Sequence, residues 1–135
     1  MASVLYVTNN TALTVGTGAN ITPSSIIHRN CQSQANLENG NIVIKGMGYF
    51  NIDVTLTFSS ASTGTVKVAL YKDSNAIDGA TSSTTISTAS TEVRSLSFSC
   101  EILNNCKCSI STISLTNLGI PITTSNVAIR VKRDS

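Results

Sequence analysis

Strict alternation of apolar and polar residues is the feature that most constrains the fold of this chain. Across residues 50–59 every odd position is polar and every even position is apolar: Phe50, Ile52, Val54, Leu56 and Phe58. A period of two over about ten residues is typical of a β-strand with one buried face. The polar residues 59–64 interrupt the pattern, which resumes in the same phase at residues 66–70. Two such runs joined by a short Ser/Gly-rich turn predict an antiparallel hairpin.

The rest of the chain repeats this strand pattern at a spacing of about ten residues. Short apolar runs occupy residues 4–7, 13–15 and 21–27, and alternation returns at residues 93–103 and 127–131. The 135 residues include 20 Ser and 18 Thr but only 12% charged residues, and Thr, Val and Ile suit a pleated surface. We count about eight strands and no helix, which predicts an all-β, two-sheet antiparallel sandwich or jelly roll in a single domain, residues 1–135.

Several local features indicate turns and irregularities between these strands. Polar, Asn-rich residues 31–40 predict a loop, and Asp78-Gly79 and residues 104–105 predict tight turns. The inward parity changes from even to odd after Ile110, which predicts a β-bulge near residues 111–112. Residues 81–91 are almost entirely Ser, Thr and Ala. They form either an exposed edge strand or long loop, or a surface that contacts a partner.

Groups that perform catalysis are sparse and dispersed along the chain. The single histidine, His28, has no second histidine to pair with, and the seven acidic residues lie mostly in predicted turns or at outward strand positions. The H-E-x-x-H, G-x-S-x-G and P-loop spacings do not occur. We therefore expect no catalytic residues, no bound cofactor and no enzymatic activity.

The four cysteines leave three interpretations open. His28, Cys31, Cys106 and Cys108 are weak candidates for a zinc site, since thiolates and imidazole bind zinc but the usual C-x2-C spacing is missing. Cys100, Cys106 and Cys108 have the inward parity of their strands, which favours free thiols packed as small apolar groups. A single disulfide is the third interpretation, although two cysteines at i and i+2 of one strand are poorly placed to bridge.

The net charge of +2 comes from nine basic residues scattered along the chain. A nucleic-acid-binding protein usually gathers its cations on one face and adds stacking aromatics, so we expect no nucleic-acid partner. Residues 1–8 contain neither a basic n-region nor an apolar h-region, so we expect no signal peptide and no membrane segment. Such a chain is expected to be made in the cytoplasm and either to stay there or to leave by assembly or lysis.

Residues 42–54 read Ile-x-Ile-x-Gly-x-Gly-Tyr-Phe-x-Ile-x-Val and resemble the G-x-Y-x-F core strand of the C1q and tumour-necrosis-factor (TNF) jelly rolls. Residues 65–80 look like the V-x-L-Y-x-D-G-x-x-I-x-G-A hairpin of bacterial and phage members, and residues 126–131 are similar to their last strand. Spore-surface collagen-like glycoproteins and short phage or Firmicutes virion proteins carry related domains. The latter include a segment like residues 104–108. The resemblance covers roughly residues 40–133, and no Gly-x-y collagen repeat is present.

The resemblance implies a ten-stranded homotrimer in which one sheet of each copy faces its neighbours across a three-fold axis. On that basis we expect these outward residues at the trimer interface: Tyr49, Asn51, Asp53, Thr55, Thr57, Ser97 and Arg130. Small hydroxyl side chains allow close approach of two copies, and Asp53 or Glu101 is able to pair with Arg130. The alternative interpretation is an ordinary solvated outer face.

The expected function is therefore that of a non-enzymatic phage virion structural protein. It would be a trimeric head decoration or fibre component that contacts the capsid or other virion proteins, with residues 1–15 as a candidate docking or edge-strand segment. The alternative is a carbohydrate- or receptor-binding module of a phage tail or of a bacterial or spore surface. Its partner would be a host-surface glycan, with Tyr6, Tyr49 and Tyr71 as the aromatic candidates.

Overall fold

The computed structural model describes residues 4–30, 34–104 and 110–134, and all regular structure in these ranges is β-strand. The twelve strands are β1 (Val4–Asn9), β2 (Leu13–Val15), β3 (Asn20–Ile21), β4 (Ser25–Arg29), β5 (Ala35–Glu38), β6 (Asn41–Lys45), β7 (Gly48–Ser59), β8 (Gly64–Lys72), β9 (Asn75–Ile86), β10 (Arg94–Asn104), β11 (Ile110–Asn117) and β12 (Ile122–Asp134). The prediction of an all-β chain is confirmed. Within the described ranges there is no helix with the length and hydropathy of a membrane span.

Two antiparallel sheets make up the fold. Sheet A has the strand order β10-β7-β12-β1-β4, and sheet B has the order β5-β6-β11-β8-β9. These ten strands match the number that the resemblance implies. The short β2 and β3 pair with β12 and β11 outside the two main rows, so the estimate of about eight strands was too low. The predicted two-sheet jelly roll is confirmed.

The core lies between the two sheets and is mainly aliphatic. All five even-numbered apolar residues of β7 are fully buried, and Val66, Val68 and Leu70 of β8 face them from the other sheet. Each fully buried Val, Ile, Leu or Phe side chain contributes roughly 1.5–3 kcal/mol relative to an exposed one. Because both sheets bury one face in this shared core, β7 and β10 of sheet A and β11 of sheet B all alternate between inward and outward residues.

The predicted hairpin of residues 50–70 is wrong, because β7 and β8 belong to different sheets. The chain crosses from sheet A to sheet B at a corner held by buried Ser60, whose hydroxyl donates to the carbonyl oxygen of Pro121 at 2.6 Å. The same hydroxyl oxygen accepts a hydrogen bond from the Ser62 amide at 3.1 Å. Alternation reports which face of a strand is buried and contains no information about the strand beside it.

Two-residue turns with positive φ close the actual hairpins. Asn39 and Gly40 have φ of 53° and 77° between β5 and β6, and Asp73 and Ser74 have φ of 51° and 71° between β8 and β9. A two-residue turn in which both residues have a left-handed backbone conformation matches the twist of two antiparallel strands. The predicted tight turn at Asp78-Gly79 is wrong, since both residues lie within β9, at a register shift where residues 77–80 of β9 stand against Leu70 of β8.

Two further predictions of local structure fail. Residues 35–38 form β5 instead of a loop, although residues 31–33 lie outside the described ranges. This strand was missed because it is short and polar, and only Ala35 and Leu37 pack inwards. The bulge near residues 111–112 is absent, since Ile110–Ile113 pair continuously with β6. Ile110 is 58% exposed, so its even parity does not mark an inward position. The predicted turn at residues 104–105 extends into residues that are not described.

The first strand lies inside sheet A. Strand β1 pairs with β12 on one side and with β4 on the other, whereas β2 pairs along the beginning of β12. The Ser/Thr-rich residues 81–86 form the end of the edge strand β9, as one interpretation of that stretch predicted, and residues 87–93 connect it to β10 in the other sheet.

Candidate functional site

The outer face of sheet A is the candidate functional surface, and we call it the hydroxyl face. Because the even positions of β7 fill the core, its odd positions point outwards, and the neighbouring strands align their own outward residues with them. The face consists of Tyr6, Tyr49, Asn51, Asp53, Thr55, Thr57, Ser95, Ser97, Ser99, Glu101, Leu103, Asn126, Ala128, Arg130 and Lys132. The structure thus brings all seven residues predicted for the interface onto one surface.

Pairs of small hydroxyl side chains cover the middle of this face. Thr55 and Ser97 are direct partners on β7 and β10, with their hydroxyl oxygens 3.4 Å apart, and Thr57 and Ser95 are the next pair, at 3.2 Å. Directly opposed residues of an antiparallel pair have Cβ atoms about 4.5–5.5 Å apart, so short side chains meet without bending the sheet. The result is a surface low in relief, on which each hydroxyl group is able both to donate and to accept a hydrogen bond.

Four charged residues lie beside these hydroxyl pairs, and we call them the charge quartet: Asp53, Glu101, Arg130 and Lys132. Arg130 lies directly opposite Asp53 on the adjacent strand, and Lys132 and Glu101 lie on either side of Asn51. The quartet, Asn51 and Ser99 line an open depression of about 600 Å³. Among the described residues, the four side chains make no ion pair and no hydrogen bond within the protomer.

Sequence reasoning missed how the first strand extends this surface. Tyr6 lies directly opposite Arg130 on one side and His28 on the other, so a row runs across the sheet from β4 to β10. Tyr6 also lines a second depression next to Asp53 and Arg130. No local signal reveals this neighbourhood, because β1 and β12 are separated by more than a hundred residues.

An apolar corner completes the face at one end. Tyr49 and Leu103 are direct cross-strand partners, and they are 51% and 41% exposed. Met47, in the connection just before β7, is also exposed. Large exposed apolar side chains that lie next to each other mark surfaces suited to contact with another molecule.

Comparison with known proteins connects this arrangement to a fold. No protein-family model matches the chain, and no curated protein sequence matches it. Among solved structures, Eiger TNF from S. frugiperda superposes with a TM-score of 0.69 at 11% identity, covering 100% of this chain and 92% of that one. Murine APRIL at pH 8.5 gives a TM-score of 0.76 at 7% identity, covering 99% of this chain and 100% of that one.

The globular domain of zebrafish complement 1qA superposes with a TM-score of 0.67 at 10% identity, covering 98% of this chain and 96% of that one. The chain folds as a TNF/C1q-like jelly roll. At identities this low the likeness extends to the fold alone.

The candidate zinc ligands remain largely outside the described part of this jelly roll. Cys31, Cys106 and Cys108 fall in residues 31–33 and 105–109, which are not described, and His28 is exposed on the edge strand β4. Among the residues that are described, no group of three His, Cys, Asp or Glu side chains is close enough to hold a metal ion. The three interpretations of those cysteines therefore stay open.

Cys100 is described, and it packs inwards as its parity predicted. It is a free, half-buried thiol against the core of the jelly roll. Burial raises the pKa of Cys100 to about 11, and the nearby negative charge of Asp53 adds to this effect. The thiol is therefore protonated at neutral pH, which makes it a poor nucleophile and a poor metal ligand.

Proposed function

We propose that this chain is a non-enzymatic structural protein that assembles as a homotrimer through the hydroxyl face. The observation that supports this proposal best is the character of that face: small hydroxyl side chains in the middle, an apolar corner and charges of both signs. TNF/C1q-like domains commonly form homotrimers. The interface would include the predicted residues Tyr49, Asn51, Asp53, Thr55, Thr57, Ser97 and Arg130.

Physical reasons favour this face as a contact between copies. Ser and Thr lose little side-chain freedom when they are buried, and their hydroxyl groups are satisfied by similar groups on a second copy. Short side chains also let two backbones approach closely. Tyr49 and Leu103 would add burial of apolar area, which contributes about 25 cal/mol per Å² removed from water. Together these terms describe an interface with an apolar part and a hydrogen-bonded part.

The proposed setting is a phage particle, where the trimer would serve as a head decoration or a fibre component in contact with other virion proteins. The resemblance of residues 65–80 and 126–131 to bacterial and phage members supports this setting, and a bacterial cell or spore surface is the alternative setting. A stable small domain with a self-association face suits a repeated structural position, because each copy supplies the same surface.

Solution mass tests the trimer directly. Light scattering of the purified full chain should give three times the 14.1 kDa of one copy, and a constant mass of one copy at all concentrations would contradict the proposal. For the virion role, cryo-electron microscopy should compare particles from the wild-type phage with particles from a deletion of this gene. Density of trimeric shape should disappear with the gene and return on complementation, and identical particles would count against the role.

A second candidate function, carbohydrate or receptor binding, is favoured by a cleft where the edges of the two sheets meet. The cleft has a volume of about 350 Å³ and is lined by Lys72, Asp73, Asn75, Ile77, Glu101 and Leu103. Lys72 donates a hydrogen bond to the carbonyl oxygen of Leu103 at 2.8 Å, which ties one sheet to the other. Amide and carboxylate groups beside apolar side chains suit sugar hydroxyl groups.

Exposed Tyr49 adjoins this cleft through its cross-strand partner Leu103. A glycan array probed with wild-type protein and with an Asn75→Ala variant would test this function. Binding that is lost in the variant supports it, and an array without any bound glycan contradicts it.

A further inference from the structure

The charge quartet differs from the charged pairs elsewhere in the described structure. Glu38 and Lys45 form an ion pair at 3.8 Å, and Glu92 and Arg94 form one at 2.6 Å. Asp53 and Arg130 are direct neighbours on adjacent strands, yet no nitrogen–oxygen distance between them is within the 4.0 Å of an ion pair. The quartet is therefore available to partners outside its own protomer.

The acids and bases of the quartet occupy different parts of the face. Glu101 lies on the edge strand β10 and Asp53 on the adjacent β7, whereas Arg130 and Lys132 both lie on β12, the third strand of the sheet. An acidic strip towards one edge thus adjoins a basic strip nearer the centre. The strips carry two charges each, so the quartet is neutral as a whole.

A closed trimer brings different parts of one surface together. Its contacts are head-to-tail, so a strip on one copy meets a different strip on the next. Burying a charge without a partner is strongly unfavourable, whereas a buried acid and base of good geometry compensate each other. If the hydroxyl face is buried between copies, the acidic strip of one copy needs the basic strip of its neighbour.

We infer that Asp53 and Glu101 of one copy form ion pairs with Arg130 and Lys132 of the next copy, so that assembly depends on charge complementarity around the ring. This inference rests on the proposed homotrimer and specifies its contacts. It identifies the partner of the charge quartet as a second copy of this chain.

Charge reversal at two positions tests the pairing. Asp53→Lys and Arg130→Glu each place like charges at every contact of the ring, and each should raise the concentration at which trimers dissociate by at least about tenfold. The double variant Asp53→Lys/Arg130→Glu restores opposite charges and should assemble nearly as wild type does. Lys67→Glu makes the same charge change as Arg130→Glu on an exposed residue of sheet B; it is the matched control for that variant and should leave the trimer intact.

Mixing the two single variants separates pairing between copies from pairing within one copy. In a mixed ring of three, two of the three contacts join an Asp53→Lys copy to an Arg130→Glu copy and are complementary. We therefore expect trimers in the equimolar mixture at concentrations where either variant alone dissociates. Recovery on mixing also shows that both variants fold. Absence of recovery, with the double variant rescued, would overturn the inference in favour of pairing within a copy.

Salt gives an independent measurement. Raising the NaCl concentration to 1 M shortens the screening length to about 3 Å. This should weaken the wild-type trimer more than it weakens the trimer of Asp53→Asn/Arg130→Gln, a double variant in which both side chains are neutral. A wild-type trimer that is insensitive to both reversals and to salt would overturn this inference and leave the proposed trimer standing. A wild-type monomer would overturn both.

Discussion

The outer faces of the two sheets have similar compositions and different arrangements of charge. Both are rich in Ser and Thr, since β9 and β11 of sheet B place Ser and Thr on the outer face as β7 and β10 of sheet A do. On sheet B, Lys45 pairs with Glu38 and Lys67 lies opposite Ser83. On sheet A, four charges lie together and make no ion pair with any described residue of the protomer. Hydroxyl content alone therefore does not distinguish an assembly surface from a solvated one.

The two faces also differ in regularity. Strand β7 pairs with β10 without interruption over its outward residues, and with β12 from Thr57 to Tyr49. On sheet B, the pairing of β8 with β9 shifts between Ala69 and Tyr71, where Gly79 has a φ of 79°. A bulge of this kind bends and twists the strand. The continuous part of sheet A is therefore the middle of the hydroxyl face on β7, β10 and β12, because the register shifts of sheet A lie outside it, between Tyr6 and Val7 and between Thr124 and Asn126.

The largest expected effect is a loss of stability when the core between the two sheets is disrupted. Ile52→Ala, behind the hydroxyl face, and Leu70→Ala, behind the face of sheet B, each empty a fully buried position. Each should lower the free energy of unfolding by about 2–5 kcal/mol, because both side chains fill the same core. Urea unfolding at one fixed protein concentration measures this. An unchanged midpoint for either variant would contradict the idea of one common core.

The next effect separates the two outer faces. Thr55→Glu places a carboxylate in the middle of the hydroxyl face, where burial between copies would leave it without a partner. Its solution mass should fall from three copies to one. The control is Thr65→Glu on exposed Thr65 of sheet B, which should keep the mass of three copies. Equal behaviour of the two variants in light scattering would remove the distinction between the faces.

A smaller effect concerns the aromatic side chains on the two faces. Tyr49→Ala removes the exposed ring from the apolar corner of sheet A, and it should weaken trimer formation by about tenfold, since aromatic residues often dominate interface energies. Tyr71→Ala removes a half-buried ring from sheet B and should leave the dissociation concentration unchanged. Sedimentation at a series of concentrations distinguishes the two. The opposite ranking would assign the interface to sheet B.

The smallest effect concerns the connection between the sheets, residues 87–93. The Glu92 carboxylate accepts hydrogen bonds from the Arg94 guanidinium and from the backbone amides of Ser87 and Thr88, the last two at 3.2 Å each. The hydrogen bond with Arg94, above all, lowers the pKa of Glu92 from its ordinary value of 4.5. The resulting stabilisation is present above pH 4.5 and is lost as the pH falls through the lowered pKa.

Comparison of wild type with Glu92→Gln measures that contribution. The variant should unfold at a slightly lower urea concentration at pH 7, and the difference should disappear at strongly acidic pH, where Glu92 is protonated in both states. A difference that stays constant with pH would indicate that packing, not charge, connects Glu92 to the loop.

Sequence reasoning predicted burial well and strand neighbours poorly. The inward positions of β7, β10 and β12 follow from alternation, and even Cys100 packs on the side that its parity predicted. The partner of β7 was assigned to β8 because those strands are consecutive, whereas its actual neighbours are β10 and β12. Strand β5 was missed because a short strand with two polar residues resembles a loop.

The candidate surface was predicted in the same partial way. The outward residues of β7 follow from the sequence, because alternation gives the outer face at the same time as the inner one. The position of Tyr6 between His28 and Arg130 does not follow from the sequence, since it depends on pairing between strands at the two ends of the chain.

The sequence by itself determined that this chain forms strands and which side of each strand is buried. Side chains alternate between the two faces of a strand, and burial of apolar residues stabilises the arrangement in which the apolar face points into the core. Only the tertiary structure decided which strands lie side by side. That choice brought two acids of β7 and β10 next to two bases of β12 without pairing them. Strand order depends on contacts between distant residues, which no local pattern records, and it is strand order that created the charge quartet.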